Sequence, residues 1–170
     1  MEKKSENVEY KTYINSPVGL LEITGSDEAI NRVSFIEEKF DSKFQTNSYL
    51  QECAKQLEEY FNGGRKEFEL NLEPKGTEFQ KKVWNELLKV PYGYTKSYLF
   101  ISKMIGDTLA IRAAAKANGQ NPIAIIIPCH RIIGSDGSLT GYAGGLWRKK
   151  WLLEHEQKFS EGEKQLELLL

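Results

Sequence analysis

The chain contains two cysteines, Cys53 and Cys129, and no CxxC pair. That excludes a disulfide scaffold and a Cys-rich zinc site and predicts a reducing, cytosolic setting. Its longest purely apolar stretch, Ile123 to Ile127, is far short of the roughly 20 residues a spanning helix needs. Mean hydropathy is low, at -0.50, which argues against an integral membrane protein. The opening Met1-Glu2-Lys3-Lys4-Ser5-Glu6 leads into no apolar core, so no secretory signal is expected. What is present is 170 residues with 40% apolar and 28% charged side chains. That is enough for a buried core in one domain, or in two small ones sharing an interface.

Charge is unevenly spread. Residues 1–76 carry 10 Lys/Arg and 15 Asp/Glu, residues 77–156 carry 11 and 6, and residues 157–170 carry 2 and 3. The first segment is therefore acidic and the second basic, as expected of two modules with different surfaces. A basic module suits a polyanion such as nucleic acid, although an ordinary solvated surface has the same balance.

Residues 8–15, 19–25 and 29–37 are rich in β-branched and aromatic residues and separated by turn signals, which predicts three antiparallel strands. Leu50, Cys53, Ala54, Leu57, Tyr60 and Phe61 recur at helical spacing within 47–61, and Asn62-Gly63-Gly64 ends that helix. Residues 67–72 alternate as a strand would. Glu73 to Gly76 reads as a linker. Thr77 caps a helix to about 89, Ser97 a short helix to about Ile105, and Thr108 a third ending at Asn118-Gly119. Two short helices about a Gly turn suggest a helix-turn-helix. Its second helix is rich in alanine around Arg112, which allows close approach to another helix or to a nucleic-acid groove. Ile123 to Ile127 reads as a buried strand, 132–139 as a hairpin turning at Asp136-Gly137, and Gly141 to Gly145 as a flexible loop. A last helix spans about 146–156. The tail 157–170 is expected to be disordered.

Cys129 follows the apolar run and Pro128, and precedes His130 and Arg131. Free cysteine is most often a buried core thiol, and Cys53, on the apolar side of a helix, fits that description. Cys129 differs in its company. Thiol chemistry needs the thiolate, and an adjacent base or cation supplies it. His130 can take the thiol proton directly or through one water, and a carboxylate such as Glu156 can orient the ring.

The run Ile127-Pro128-Cys129-His130-Arg131 resembles the active-site signature of the O6-alkylguanine-DNA alkyltransferases. Ser97-Tyr98, Arg112 in its Ala-rich helix, Asn121-Pro122, Gly141-Tyr142-Ala143-Gly144-Gly145 and Leu152-Leu153-Glu154-His155-Glu156 follow in the order and spacing of that family. The resemblance covers about residues 77–156 closely, and residues 8–72 in layout only. It implies an α+β fold. A small N-terminal ribonuclease H-like α/β domain (1–73) is joined to a winged-helix-like helix-turn-helix domain (77–156) carrying the reactive cysteine.

The resemblance further implies direct reversal of DNA damage. An alkyl group passes irreversibly from O6 of guanine, or O4 of thymine, to Cys129, once per protein molecule and without a cofactor. His130 and Glu156 activate the thiol, Asn121 holds the active-site turn, and Tyr98 supplies a proton to the departing guanine and crowds the phosphate. Arg112 replaces the flipped base, with Ala113, Ala114, Ala115 and Asn118 of the same helix in the minor groove. Tyr142, Ala143, Gly144 and Pro128 form the substrate pocket. The expected partner is double-stranded DNA bearing O6-alkylguanine, bound by a monomer with no membrane contact. The expected site is the cytoplasm, at the nucleoid in a prokaryote, or the nucleus in a eukaryote.

Ala124 stands where some members carry a second proline, and Ala143 where some carry serine. The few Cys and His residues predict no structural zinc. Two other readings remain at this point. One is an alkylated-DNA lesion-binding protein without transfer activity. The other is a cysteine hydrolase using Cys129 and His130.

Overall fold

Three antiparallel strands open the structure, a computed structural model that describes residues 8–38 and 43–169, with side chains to 161. They are β1 (Tyr10–Ser16), β2 (Gly19–Gly25) and β3 (Ile30–Ile36), in sheet order β1-β2-β3. The register pairs Ser16 with Gly19 and Leu20 with Ile36. It turns Ile14, Leu21, Ile23, Ile30 and Val33 into the core. Helix α1 (Ser48–Phe61) packs on this sheet through Leu50, Cys53 and Leu57. Its N-cap is Asn47, whose side chain accepts from the Leu50 amide at 2.8 Å, satisfying one of the first-turn donors. The expected strand at 67–72 is an extended segment with a single bridge, Leu72 to Ile30.

Helix α2 (Glu78–Leu87) starts at Thr77 in a full capping box with Gln80. A two-residue strand, β4 (Lys96–Ser97), leads into α3 (Tyr98–Met104), capped by Ser97 as expected. Helix α4 (Ile111–Gly119) begins later than the sequence suggests. Its N-cap is Ala110 with no side-chain cap, and the preceding turn is held by Asp107, which accepts from the Leu109 amide.

Ile123 to Ile127 is buried but is a tight turn, not a strand. The Asn121 side chain spans it, accepting from the Ile123 amide at 2.9 Å and donating to the Ile127 carbonyl at 2.8 Å. Ile125 takes a φ of 72°, a strained value for a β-branched residue. Cys129–Arg131 then form one 3-10 turn. Strand β5 (Ile132–Ile133) pairs in parallel with β4, so the expected hairpin strand has a different partner. The turn at Asp136-Gly137 does form, closed by the Gly134 amide on the Ser138 carbonyl.

Helix α5 (Leu146–Leu169) continues well past residue 156. The expected disorder from 157 is therefore not found in its backbone. Phe159 packs on the core and Ser160 is buried. Gly93, with φ of 77°, passes so close to this helix that a Cβ there would lie 2.6 Å from Ser160 Oγ. The final Leu170, and Met1 to Asn7, where the expectation about a secretory signal falls, lie outside the described residues.

The two halves share one core. The Val33 amide donates to the Pro122 carbonyl and the Ala124 amide to the Val33 carbonyl, both at 3.0 Å. The turn before Cys129 is thus stitched to β3.

Candidate active site

Cys129 lies at the junction of the clamped turn and α5, 6% exposed. Its Sγ receives the Asn121 side-chain amide at 3.2 Å. It opens onto a cavity of about 270 Å³ lined by Tyr142, Ala143 and Gly144 on one side and by Ser34, Phe35 and Glu37 of the N-terminal unit on the other. Burial pushes the Cys129 thiol above its ordinary value, opposed by the Asn121 hydrogen bond and the Lys149 charge.

His130 is fully buried, and its Nε2 meets Glu156 Oε1 at 2.7 Å. Its Nδ1 is buried and makes no hydrogen bond with another group among the described residues. Burial lowers the His130 pKa, against the raising effect of Glu156. Glu156 is the hub of the site. Tyr60 from α1 donates to it at 2.8 Å, Arg131 through Nε at 2.9 Å and Nη2 at 3.0 Å, and the Gly93 amide at 3.2 Å. Burial works against this carboxylate, but His130 and Arg131 outweigh it and hold its pKa far below the usual carboxylate range. Such a network leaves the carboxylate ionised and the imidazole fixed in orientation.

The other expected residues are placed unevenly. Tyr98 is half-buried, and its hydroxyl donates to the Thr140 carbonyl at 2.9 Å, at the base of the 141–145 loop. Burial raises its pKa, so it keeps its proton at neutral pH. Arg112 and Ala113 are exposed on α4 and Ala115 is partly so. Ala114 and Asn118 are 1% and 2% exposed, and they face the interior, so neither has a surface to offer DNA. Asn118 instead reaches the Cys129 carbonyl at 3.4 Å. Pro128 is buried and borders another cavity, with Arg131, Tyr92 and Phe68, so it does not line the Cys129 cavity.

Several residues at the site escaped the sequence reading. Lys149 is fully buried, and its ammonium donates to the carbonyls of Ile132 at 2.5 Å and Thr140 at 2.9 Å. Burial lowers its pKa to about 8, while Cys129 acts to raise it. The signal was its spacing: Lys149, Leu152 and Glu156 share one helical face, and the apolar Leu152 marks that face as buried. Tyr60 and the β3 residues carry no comparable signal, since they reach the site only through domain docking.

Two family models match the chain. The 6-O-methylguanine DNA methyltransferase DNA-binding domain covers residues 78–158, and the ribonuclease-like domain of the same family covers 9–74. The chain belongs to the 6-O-methylguanine DNA methyltransferase family. The methylated-DNA–protein-cysteine methyltransferase of Methanosarcina acetivorans is 46% identical over 152 residues, 86% of this chain and 97% of that protein. That of Mycolicibacterium paratuberculosis is 41% identical over 157 residues, 90% and 94% of the two. Among solved structures, Mycobacterium tuberculosis O6-methylguanine methyltransferase superposes with a TM-score of 0.82 at 39% identity, covering 94% of this chain and 99% of that one. Mycobacterium tuberculosis OGT in complex with DNA gives 0.79 at 42% identity, covering 86% and 92%. The fold is thus the family's two-domain one, a small N-terminal sheet domain followed by a helical DNA-binding domain.

Proposed function

We propose that this chain is a methylated-DNA–protein-cysteine methyltransferase that repairs O6-alkylguanine in duplex DNA by moving the alkyl group to its own Cys129. The observation that carries the reading is a reactive-type thiol on the floor of a cavity, next to a buried His130–Glu156 pair.

The chemistry is an in-line displacement at an sp3 carbon. The Cys129 Sγ–C bond forms as the C–O6 bond breaks. The thiol proton goes to His130, through a water at Nδ1, and Glu156 stabilises the resulting imidazolium. The Asn121 amide donates to the sulfur as it gains charge. Tyr98 gives a proton to the departing base, so that guanine leaves neutral. The product is a thioether that water does not cleave, and each protein molecule acts once. Nothing in the sequence calls for a metal or cofactor.

The target atom lies inside a duplex, so the nucleotide is turned out at a cost of a few kcal/mol. Arg112, exposed on α4 among small side chains, fills the vacated space, with Ala113 and Ala115 on the accessible part of that helix. Tyr142, Ala143 and Gly144 enclose the flipped base. O4-alkylthymine is a second substrate, and the protein acts as a monomer on DNA, at the nucleoid or in the nucleus according to its host. The basic second module supplies sequence-independent phosphate binding. A lesion-binding role without transfer is not favoured, because Cys129 is present and the named relatives are methyltransferases.

Intact-protein mass after mixing with an equimolar duplex carrying one O6-methylguanine tests the reading. A gain of one methyl, mapped to Cys129 and absent in Cys129→Ala, is expected, with DNA binding retained in that variant. An unchanged mass with DNA bound would replace it by the lesion-binding reading.

A further inference from the structure

Arg148, in the first turn of α5, ties together segments that are distant in sequence. Its guanidinium sits 4.7 Å from the ring centroid of Phe35 on β3 and 4.6 Å from that of Trp147. Nε donates to the Val18 carbonyl in the β1–β2 turn at 2.6 Å, and Nη1 donates to the Gly144 carbonyl at 2.8 Å. Gly144 belongs to the loop whose Tyr142, Ala143 and Gly144 wall the Cys129 cavity. That loop has no strand or helix of its own. Its start is held by Tyr98 and Lys149 on the Thr140 carbonyl, and its end by Arg148. The loop also seats directly on Phe35. A Cβ at Gly144 would lie 2.7 Å from that ring, and Tyr142 meets it edge-on at a centroid distance of 6.1 Å.

We infer that Arg148 is a positioning residue for alkyl transfer, which fastens the wall of the Cys129 cavity to the N-terminal sheet and so sets the width of the pocket. The guanidinium is suited to this. It offers N–H donors in a rigid fork to carbonyls of two domains while its flat faces stack on two rings, and an ammonium cannot do both. This rests on the alkyltransferase reading for its function, but the closure itself can be measured without DNA. Removing the fork frees the Gly144 end of the loop, opens Cys129 to solvent, and loosens the geometry that in-line transfer needs.

The test uses the full chain carrying Arg148→Met or Arg148→Lys, with two readouts. One is carbamidomethylation of Cys129 by iodoacetamide, followed by peptide mass spectrometry, with the fully buried Cys53 as internal reference. The other is single-turnover methyl transfer from an O6-methylguanine duplex. Iodoacetamide should react with Cys129 roughly threefold faster or more, and methyl transfer should slow about tenfold or more, in both variants. An unchanged rate in either readout overturns the inference. So does a gain in Cys53 reactivity parallel to that of Cys129, which would report general loosening. If the unaltered chain takes up no methyl group, the alkyltransferase reading fails, while the iodoacetamide arm still judges the closure.

Discussion

Burial acts in opposite directions on the two titratable groups of the reacting pair. It raises the Cys129 thiol and lowers His130, so at neutral pH the pair rests as thiol and uncharged imidazole. A protein that reacts once gains from this, because a buried neutral thiol is a poor target for stray electrophiles. The imidazole is already in its basic form, so transfer should not need free thiolate. Single-turnover methyl transfer should therefore be flat between about pH 7 and 8.5 and decline as His130 takes a proton in the acid range, below its ordinary 6.5. A climb of about tenfold per pH unit above 7 would instead mean that thiolate forms without help from His130. Cys129, His130 and Glu156 were legible because their motif is contiguous or keeps its spacing. Lys149 was legible only through the helical face it shares with Leu152 and Glu156, and Tyr60 was not, because a tyrosine 96 residues from the carboxylate it bonds is set by packing alone.

At the level of elements, local capping and periodicity gave α1, α2, α3 and the three-stranded sheet almost to the residue. They failed where tertiary contacts outweigh propensity. Five consecutive Ile and Ala residues from 123 to 127 look like a strand, yet Asn121 folds them into a turn that aims Cys129 at the cavity and leaves Ile125 at positive φ. Thr108 has the chemistry of a cap, but Asp107 makes the turn and α4 starts at Ile111. Placing Ala114 and Asn118 in the minor groove ignored the helical wheel of α4. Ala114, Ala117 and Asn118 form the buried side, and the Trp84 indole of α2 donates to the Ala117 carbonyl at 2.9 Å. Arg112 is left on the outer side, and the proposed flipping role puts its work in the step before chemistry. Arg112→Ala should slow repair of duplex DNA by about tenfold or more, since each 1.4 kcal/mol of lost flipping stabilisation is tenfold. The reaction with free O6-benzylguanine should stay within about twofold, as no base has to leave a stack. Equal losses on the two substrates would remove Arg112 from the flipping step.

Across the whole molecule, the N-terminal domain contributes directly to the active site. Tyr60 crosses from α1 to bond Glu156, and β3 forms part of the cavity wall. The protein should therefore unfold in one cooperative transition, and its stability should be lost toward acid in two stages. The His130 pKa is depressed in the folded state, so below about 6.5 the unfolded chain takes up a proton that the folded one resists, and stability starts to fall. The Glu156 pKa is depressed far more. Its contribution is complete above the ordinary 4.5 and disappears progressively as pH drops below that value. Urea midpoints measured from pH 8 to 4 should be level near neutrality, fall gently below 6.5 and steeply below 4.5. Tyr60→Phe should lower stability at pH 7 by about 1.5–3 kcal/mol, the range for a hydrogen bond to a charged group. The lower end is expected, because His130 and Arg131 still pair the same oxygen. A two-step unfolding curve in the unaltered chain would mean that the domains fold separately and that the Tyr60–Glu156 bond does not couple them.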